Sequence, residues 1–236
     1  MNKIYIMGCG RSGTTFLLTL MTSFQDTYVH IDAAPVPGED HFRAFDSIKT
    51  EASTVVVKRV SDAYKFIYEM PDQLKLLYLV RHPLDVVTST LNYRGKTYKN
   101  YIPPERWLAE TKALRSLIES QRQGVFLLRY EDLVLQPDTA QRKIGDYFGL
   151  KIDTLFSRCH ERFIASEDID ATLNGLRPPD ASSIGRWKSQ QHMPQLTAVL
   201  QEIESELEWF CAQFGYDQAE INQILRAPQS TSTTPT

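Results

Sequence analysis

Apolar residues along the chain fall into two alternating kinds of run. The first kind is short and continuous: Ile4-Tyr5-Ile6-Met7, Thr54-Val55-Val56-Val57-Lys58, Leu76-Leu77-Tyr78-Leu79-Val80 and Val125-Phe126-Leu127-Leu128-Arg129. Such runs, rich in β-branched and aromatic residues, read as buried strands. Tyr28-Val29-His30-Ile31 is a further candidate strand. The second kind recurs at helical spacing. Thr14 to about Phe24 reads as an apolar helix, Pro83 opens one running to about Leu91, and Asp138 to about Phe148 follows Pro137. Pro104 to about Arg122 carries Trp107, Leu108, Leu114, Leu117 and Ile118 on one face. In the last helix Leu196, Val199, Leu200, Ile203, Leu207, Phe210, Cys211 and Phe214 recur at three- and four-residue steps before Gly215 supplies a stop. Short apolar strands alternating with helices predict an α/β fold, a mostly parallel sheet flanked by helices on both faces. In such sheets ligands bind beyond the carboxyl ends of the strands.

Composition narrows the picture. The 236 residues, 42% apolar and 23% charged, are enough for one core that needs no disulfide or metal to fold. We expect a single domain over residues 1–226 and a disordered Ser/Thr/Pro-rich tail over 227–236. The net charge of −3 gives no global attraction to nucleic acid or to an anionic membrane, so an anionic ligand must be held by local Arg and Lys. Cys9, Cys159 and Cys211 are odd in number and lack zinc spacing, which reads as reduced thiols. The start of the chain has no signal-like apolar region, and no run approaches the roughly 20 residues of a membrane span. A cytoplasmic location is the expectation.

Three candidate motifs sit at strand ends: the loop after Met7, Arg81 after Val80, and Tyr130 after Arg129. The loop, Gly8-Cys9-Gly10-Arg11-Ser12-Gly13-Thr14-Thr15, has P-loop spacing between a strand and a helix. Its glycines let successive N–H groups converge, and the helix N-terminus adds positive potential, which together make a phosphate cradle. A nucleotide triphosphatase would place Lys where Thr14 stands, and a Mg²⁺-holding carboxylate at a neighbouring strand end. Here the cation is Arg11, inside the loop. The neighbouring strands end in Arg81 and in Lys58-Arg59. Strand ends lined by cations suit a donor with several phosphate-like groups and no metal.

Arg11-Ser12-Gly13-Thr14-Thr15 resembles the 5'-phosphosulfate loop of sulfotransferases that use 3'-phosphoadenosine 5'-phosphosulfate (PAPS), in the branch with Arg rather than Lys there, which includes tyrosylprotein and several carbohydrate sulfotransferases. Arg81-His82-Pro83-Leu84-Asp85-Val86-Val87-Thr88-Ser89 is similar to the family's 3'-phosphate motif, with Ser89 two helical turns beyond Arg81. Arg129-Tyr130-Glu131-Asp132-Leu133-Val134 and Ile184-Gly185-Arg186-Trp187-Lys188 resemble two further family segments, the second closing a basic residue over the donor. Together these span roughly Lys3 to Gly215. The resemblance implies a P-loop kinase-like fold, PAPS as co-substrate with adenosine 3',5'-bisphosphate as product, and no metal. It places Gly10, Arg11, Ser12, Gly13, Thr14, Thr15, Arg81, Ser89, Tyr130 and Arg186 on the donor. Trp187 suits packing and adenine stacking equally, and Glu131 and Asp132 suit orienting nearby arginines.

Sulfuryl transfer needs positive charge where the leaving phosphate develops charge, and a base for the acceptor. Arg11 is the candidate for the first role, aided by Thr14 or Thr15 and by Lys58 or Arg59. For the base, the tyrosylprotein branch has Glu about twenty residues past the loop Arg. Asp32 falls at that spacing, one methylene shorter, and His30, Glu39 and His41 are the alternatives. The acceptor is a hydroxyl or amine on a small molecule, carbohydrate, lipid or peptide, among which the sequence does not choose. No nucleic-acid partner and no membrane span are expected. The rival readings are a P-loop kinase or nucleotide triphosphatase and a non-catalytic nucleotide-binding relative.

Overall fold

The computed structural model describes residues 1–32, 42, 44–59, 63–93, 96–99, 102–161, 178–189 and 193–226. The first strand, β1, is Asn2–Met7, and α1 is Thr14–Leu20, continued by a 3₁₀ turn over Met21–Ser23. The candidate strand around Tyr28 is present as β2, Thr27–Asp32. A single helical turn, α2, Ala44–Ser47, precedes β3, Thr54–Arg59, and β4 is Lys75–Val80. Then come α3, Pro83–Val87, and a hairpin of β5, Leu91–Tyr93, and β6, Lys96–Tyr98. The long α4, Pro104–Glu119, leads to β7, Val125–Arg129, and to α5, Tyr130–Leu135, and α6, Pro137–Phe148. The chain closes with α7, Met193–Phe214, and α8, Gln218–Arg226.

Five strands form one sheet in the order β2-β3-β1-β4-β7, all parallel, as the alternation of short strands and helices predicts. Side chains alternate between its faces at period two. Tyr5, Met7, Val55, Val57, Leu76, Tyr78 and Val80 meet the apolar stripe of α4 and α7, including Trp107, Leu114, Leu200, Ile203 and Phe210. Ile4, Ile6, Val56, Leu77 and Leu79 meet Leu17, Leu18 and Leu20 of α1 and Ile144 and Phe148 of α6. A sheet buried on both faces has no solvated face to alternate against, which is why its strands are continuous apolar runs.

One element departs from the expectation. The helix opened by Pro83 ends at Val87, not near Leu91, and the chain turns into β5. The run Val86-Val87-Thr88 is β-branched and a poor helix former. Thr88 closes the helix with its hydroxyl on the Leu84 carbonyl (2.7 Å). The Thr90 carbonyl is engaged by Arg11 (3.1 Å). Ser89 therefore lies just past a one-turn helix, not two turns along one.

The sheet order reverses direction around β1, whose connection leads to one side while that of β3 crosses to β4 on the other. The crevice beyond the carboxyl ends of β1 and β4 is the expected ligand position for such a reversal. The glycine loop and Arg81 are the two segments that leave those ends.

Candidate functional site

The loop from Gly8 to Gly13 is a tight turn in which the Ser12 N–H donates to the Cys9 carbonyl (3.0 Å). The first helical bond of α1 runs from Leu17 N–H to the Gly13 carbonyl (2.9 Å). The N–H groups of Thr14, Thr15 and Phe16 thus stand at the open end of the helix, available to an anion. Gly13 has φ 94°, and a Cβ there would lie 2.6 Å from the ring of Tyr130, so only glycine fits. Arg11 is held in the left-handed region at φ 71° without being glycine. Such strain persists only where surrounding contacts over-determine it. Three do so here. Its Nε donates to Ser89 Oγ (3.0 Å), its Nη2 donates to the Thr90 carbonyl (3.1 Å), and its own carbonyl accepts from Arg81 Nη1 (2.9 Å).

The glycine loop and the Arg81–Ser89 segment are therefore one hydrogen-bonded unit across 70 and 78 residues of sequence. β4 lies directly beside β1, with Met7 opposite Tyr78, which carries Arg81 to the loop. Arg81 is 9% exposed, and its Nη2 donates to the Ser183 carbonyl (2.5 Å). Its guanidinium lies 4.5 Å over the ring of Tyr130. Its Nε is buried with no hydrogen-bond partner among the described residues, an unusual state for a buried donor. His82 caps α3 by accepting from the Leu84 N–H (3.3 Å), and burial pulls its pKa down to about 4.

Segment 178–189 is fastened over this unit. Asp85, 2% exposed, accepts from the Gly185 N–H (2.7 Å) and the Trp187 N–H (3.2 Å). Tyr130 Oη and Ser183 Oγ share a hydrogen bond of 2.6 Å. Trp187 is buried and stacked on the imidazole of His82 (5.4 Å), so its role is packing. Arg186 is exposed and turned onto its own turn, donating to the Ser182 carbonyl (2.9 Å). Glu131 orients its neighbours as its position suggests: it accepts from the His82 N–H (2.9 Å) and the Tyr216 hydroxyl (2.8 Å) and stands 3.9 Å from Arg129 Nε. Asp85 and Ser183 were not singled out by sequence reasoning. Asp85 lies inside the quoted motif, whereas Ser183 carries no local signal.

On the other side of the loop, β3 delivers Lys58 and Arg59. Lys58 is opposite Ile6 of β1 and Ile31 of β2, and Arg59 is opposite Asp32. Both cations are buried. Burial lowers the Lys58 pKa from 10.5 to about 8. Asp32 ends β2, two strands from β1, and His30 precedes it by two residues on the same strand. Glu39 and His41 lie outside the described residues. Cys9 is buried, and burial together with the Glu110 charge pushes its thiol pKa well up, the opposite of a nucleophilic thiol. Among the described residues no cluster of three His, Cys, Asp or Glu side chains could hold a metal ion, and no helix is long and apolar enough to cross a membrane.

A family model described as "Sulfotransferase domain" matches residues 1–171, the segment that contains the loop, the Arg81 motif and the Tyr130 segment. The chain belongs to the sulfotransferase domain family. Solved structures agree at the level of the fold. The sulfotransferase domain from the curacin biosynthetic pathway superposes with a TM-score of 0.62 at 16% identity, covering 92% of this chain and 98% of that one. Mouse sulfotransferase SULT7A1 complexed with PAP gives 0.57 at 13% identity, covering 92% and 89%. Retinol dehydratase in complex with androsterone and inactive cofactor PAP gives 0.56 at 17% identity, covering 87% and 80%. Curated proteins show no sequence match. In this sulfotransferase the hydrogen bonds from the loop to Arg81 and Ser89 fix these two segments relative to each other.

Proposed function

We propose that this sulfotransferase moves a sulfuryl group from PAPS to an acceptor hydroxyl or amine without a metal, leaving adenosine 3',5'-bisphosphate. The observation that carries the reading is the Arg11–Ser89–Arg81 linkage. It puts an anion cradle and a second, independently charged anion site in one crevice, which matches a nucleotide with phosphate groups at both ends. The Arg81 guanidinium, held in place by the Arg11 and Ser183 carbonyls, supports a 3'-phosphate site there. When bound, PAPS supplies the activated sulfuryl group. The N–H groups of the loop and of the first turn of α1 hold the 5' end, and Arg11 and Lys58 oppose the charge that develops on the leaving oxygen. Arg81, Ser89 and Tyr130 hold the 3' end.

Asp32 takes the acceptor proton in this reading, with His30, Glu39 and His41 as the alternatives. Its place at the carboxyl end of β2, opposite Arg59, supports the choice. Retinol and androsterone, bound in the structures of retinol dehydratase, make a small-molecule acceptor the first class to assay.

The test is ligand stabilisation. Adenosine 3',5'-bisphosphate at ~100 times its dissociation constant adds about 2.7 kcal/mol to unfolding, and ATP with Mg²⁺ does not. Stabilisation by ATP–Mg²⁺ alone would make the protein a nucleotide triphosphatase or kinase.

A further inference from the structure

Beneath the glycine loop, α4 presents an ion pair between half-buried Arg106 and buried Glu110 that no step above uses. Glu110 is 4% exposed and accepts from Arg106 Nε, one helical turn earlier, at 2.9 Å. Both residues also touch the loop. Glu110 and Cys9 line one cavity, and the Glu110 charge helps to raise the Cys9 thiol pKa. A Cβ on Gly10 would lie 3.5 Å from Arg106 Nη2 and 2.6 Å from Cδ1 of Ile102, just before α4, so the backbone at Gly10 is pressed directly against this helix start. Cys9, Ser12, Trp107, Glu110 and Thr111 share the wall of one cavity of only about 10 Å³, with almost no slack between loop and helix.

A buried charge is costly unless it is paired and hydrogen-bonded. A surface i, i+4 pair would support α4 equally well without that cost. Here the pair spans from the helix to two consecutive loop residues, 9 and 10, immediately before strained Arg11. We propose that Arg106 and Glu110 are positioning residues that clamp Cys9 and Gly10 and so fix the Arg11 guanidinium and the loop N–H groups against the reacting centre. The inference rests on the proposed function for what the loop holds, but not for the clamp itself.

The clamp predicts that loosening is local. Glu110→Gln keeps the shape and weakens the charge-assisted bonds; Arg106→Met removes the cation and keeps most of the stem. Each variant is treated with iodoacetamide under native conditions, and modification of each cysteine is followed by peptide mass spectrometry. Cys159 and Cys211, both buried elsewhere, are internal controls. The expected result in either variant is Cys9 alkylation about tenfold faster than in the wild type, with Cys159 and Cys211 within about twofold, as local opening requires. In parallel, kcat for sulfuryl transfer falls while the acceptor KM stays unchanged, since misplacing a catalytic group acts on the reacting geometry. Equal acceleration at all three cysteines makes the pair a plain fold contact and overturns the proposal. Unchanged Cys9 reactivity in both variants overturns it too. If the wild type neither binds adenosine 3',5'-bisphosphate nor transfers sulfate, the proposed function fails, yet the cysteine result still decides the clamp.

Discussion

Lys58 carries the most quantitative consequence of the site. It ends a strand inside the sheet, is 7% exposed, and its pKa falls from 10.5 to about 8 because burial disfavours the charged form. That depression corresponds to about 3 kcal/mol of stability given up at pH 7. The sign follows from proton counting. Below pH 8 the folded and unfolded chains both hold the proton and the penalty is constant. Between pH 8 and 10.5 the unfolded chain binds more protons, so the contribution of Lys58 to stability rises with pH. The buried thiols of Cys9, Cys159 and Cys211 work the other way, since their raised pKa values lose stability once the unfolded thiols ionise near pH 9. Only the difference between wild type and Lys58→Met isolates the lysine. In urea unfolding at pH 7, 8, 9 and 10 the variant is more stable by about 3 kcal/mol at pH 7, and the gain shrinks toward zero as pH approaches 10.5. The same substitution lowers sulfuryl transfer, and binding of adenosine 3',5'-bisphosphate at pH 8.5 takes up a proton in the wild type but less in the variant. Parallel stability profiles for the two proteins across this range would refute the assignment of an unneutralised lysine beside the loop.

Three further substitutions separate the roles of the donor and acceptor sides. Ser89→Ala removes the hydroxyl that accepts from Arg11 and weakens adenosine 3',5'-bisphosphate by about tenfold in calorimetry, a loss of about 1.4 kcal/mol, with little change in the ligand-free melting temperature. An unchanged affinity would separate Ser89 from the 3' end. Asp32→Asn leaves that affinity intact and lowers kcat by about 10² to 10⁴, the range of a lost general base; a near wild-type kcat moves the role to His30, Glu39 or His41. Gly13→Ala drives a Cβ against the Tyr130 ring at positive φ and destabilises the ligand-free chain by about 1–3 kcal/mol, read as a lower urea midpoint at constant slope.

What could be read from the chain alone divides along a physical line. The strands and the long helices were legible because burial on one or two faces leaves a periodic trace in the residues themselves. The loop and Arg81 were legible because their function depends on local backbone geometry, which demands particular residues at fixed spacing. Helix α3 stops at Val87 because its β-branched end and the Thr88 hydroxyl close it, and Ser89 and the Thr90 carbonyl beyond it are taken by Arg11, 78 residues away. Ser183 and the pair Arg106–Glu110 were invisible because each acts through partners far away in the chain, and a serine or an i, i+4 ion pair looks the same whether it faces water or a loop. Arg186 shows the converse. Its neighbours match the family segment, but its side chain donates to the Ser182 carbonyl four residues earlier, a local contact that the motif does not specify.

The ligand-free site is largely self-satisfied, and that bears on how it works. Arg11 is held by Ser89 and Thr90, two arms of Arg81 by the carbonyls of Arg11 and Ser183, and Tyr130 by Ser183. The hydrogen bonds to Ser89 Oγ and to the Thr90, Arg11 and Ser183 carbonyls hold these cations in place through neutral groups. A carboxylate in any of these positions would hold them more strongly and would compete with the donor. The carboxylates near the site are instead spent on the scaffold: Asp85 on the backbone of segment 178–189, Glu131 on His82 and Tyr216, and Glu110 on Arg106. In the proposed reading, Lys58, whose pKa burial lowers to about 8, is the cation that an anionic donor would stabilise most.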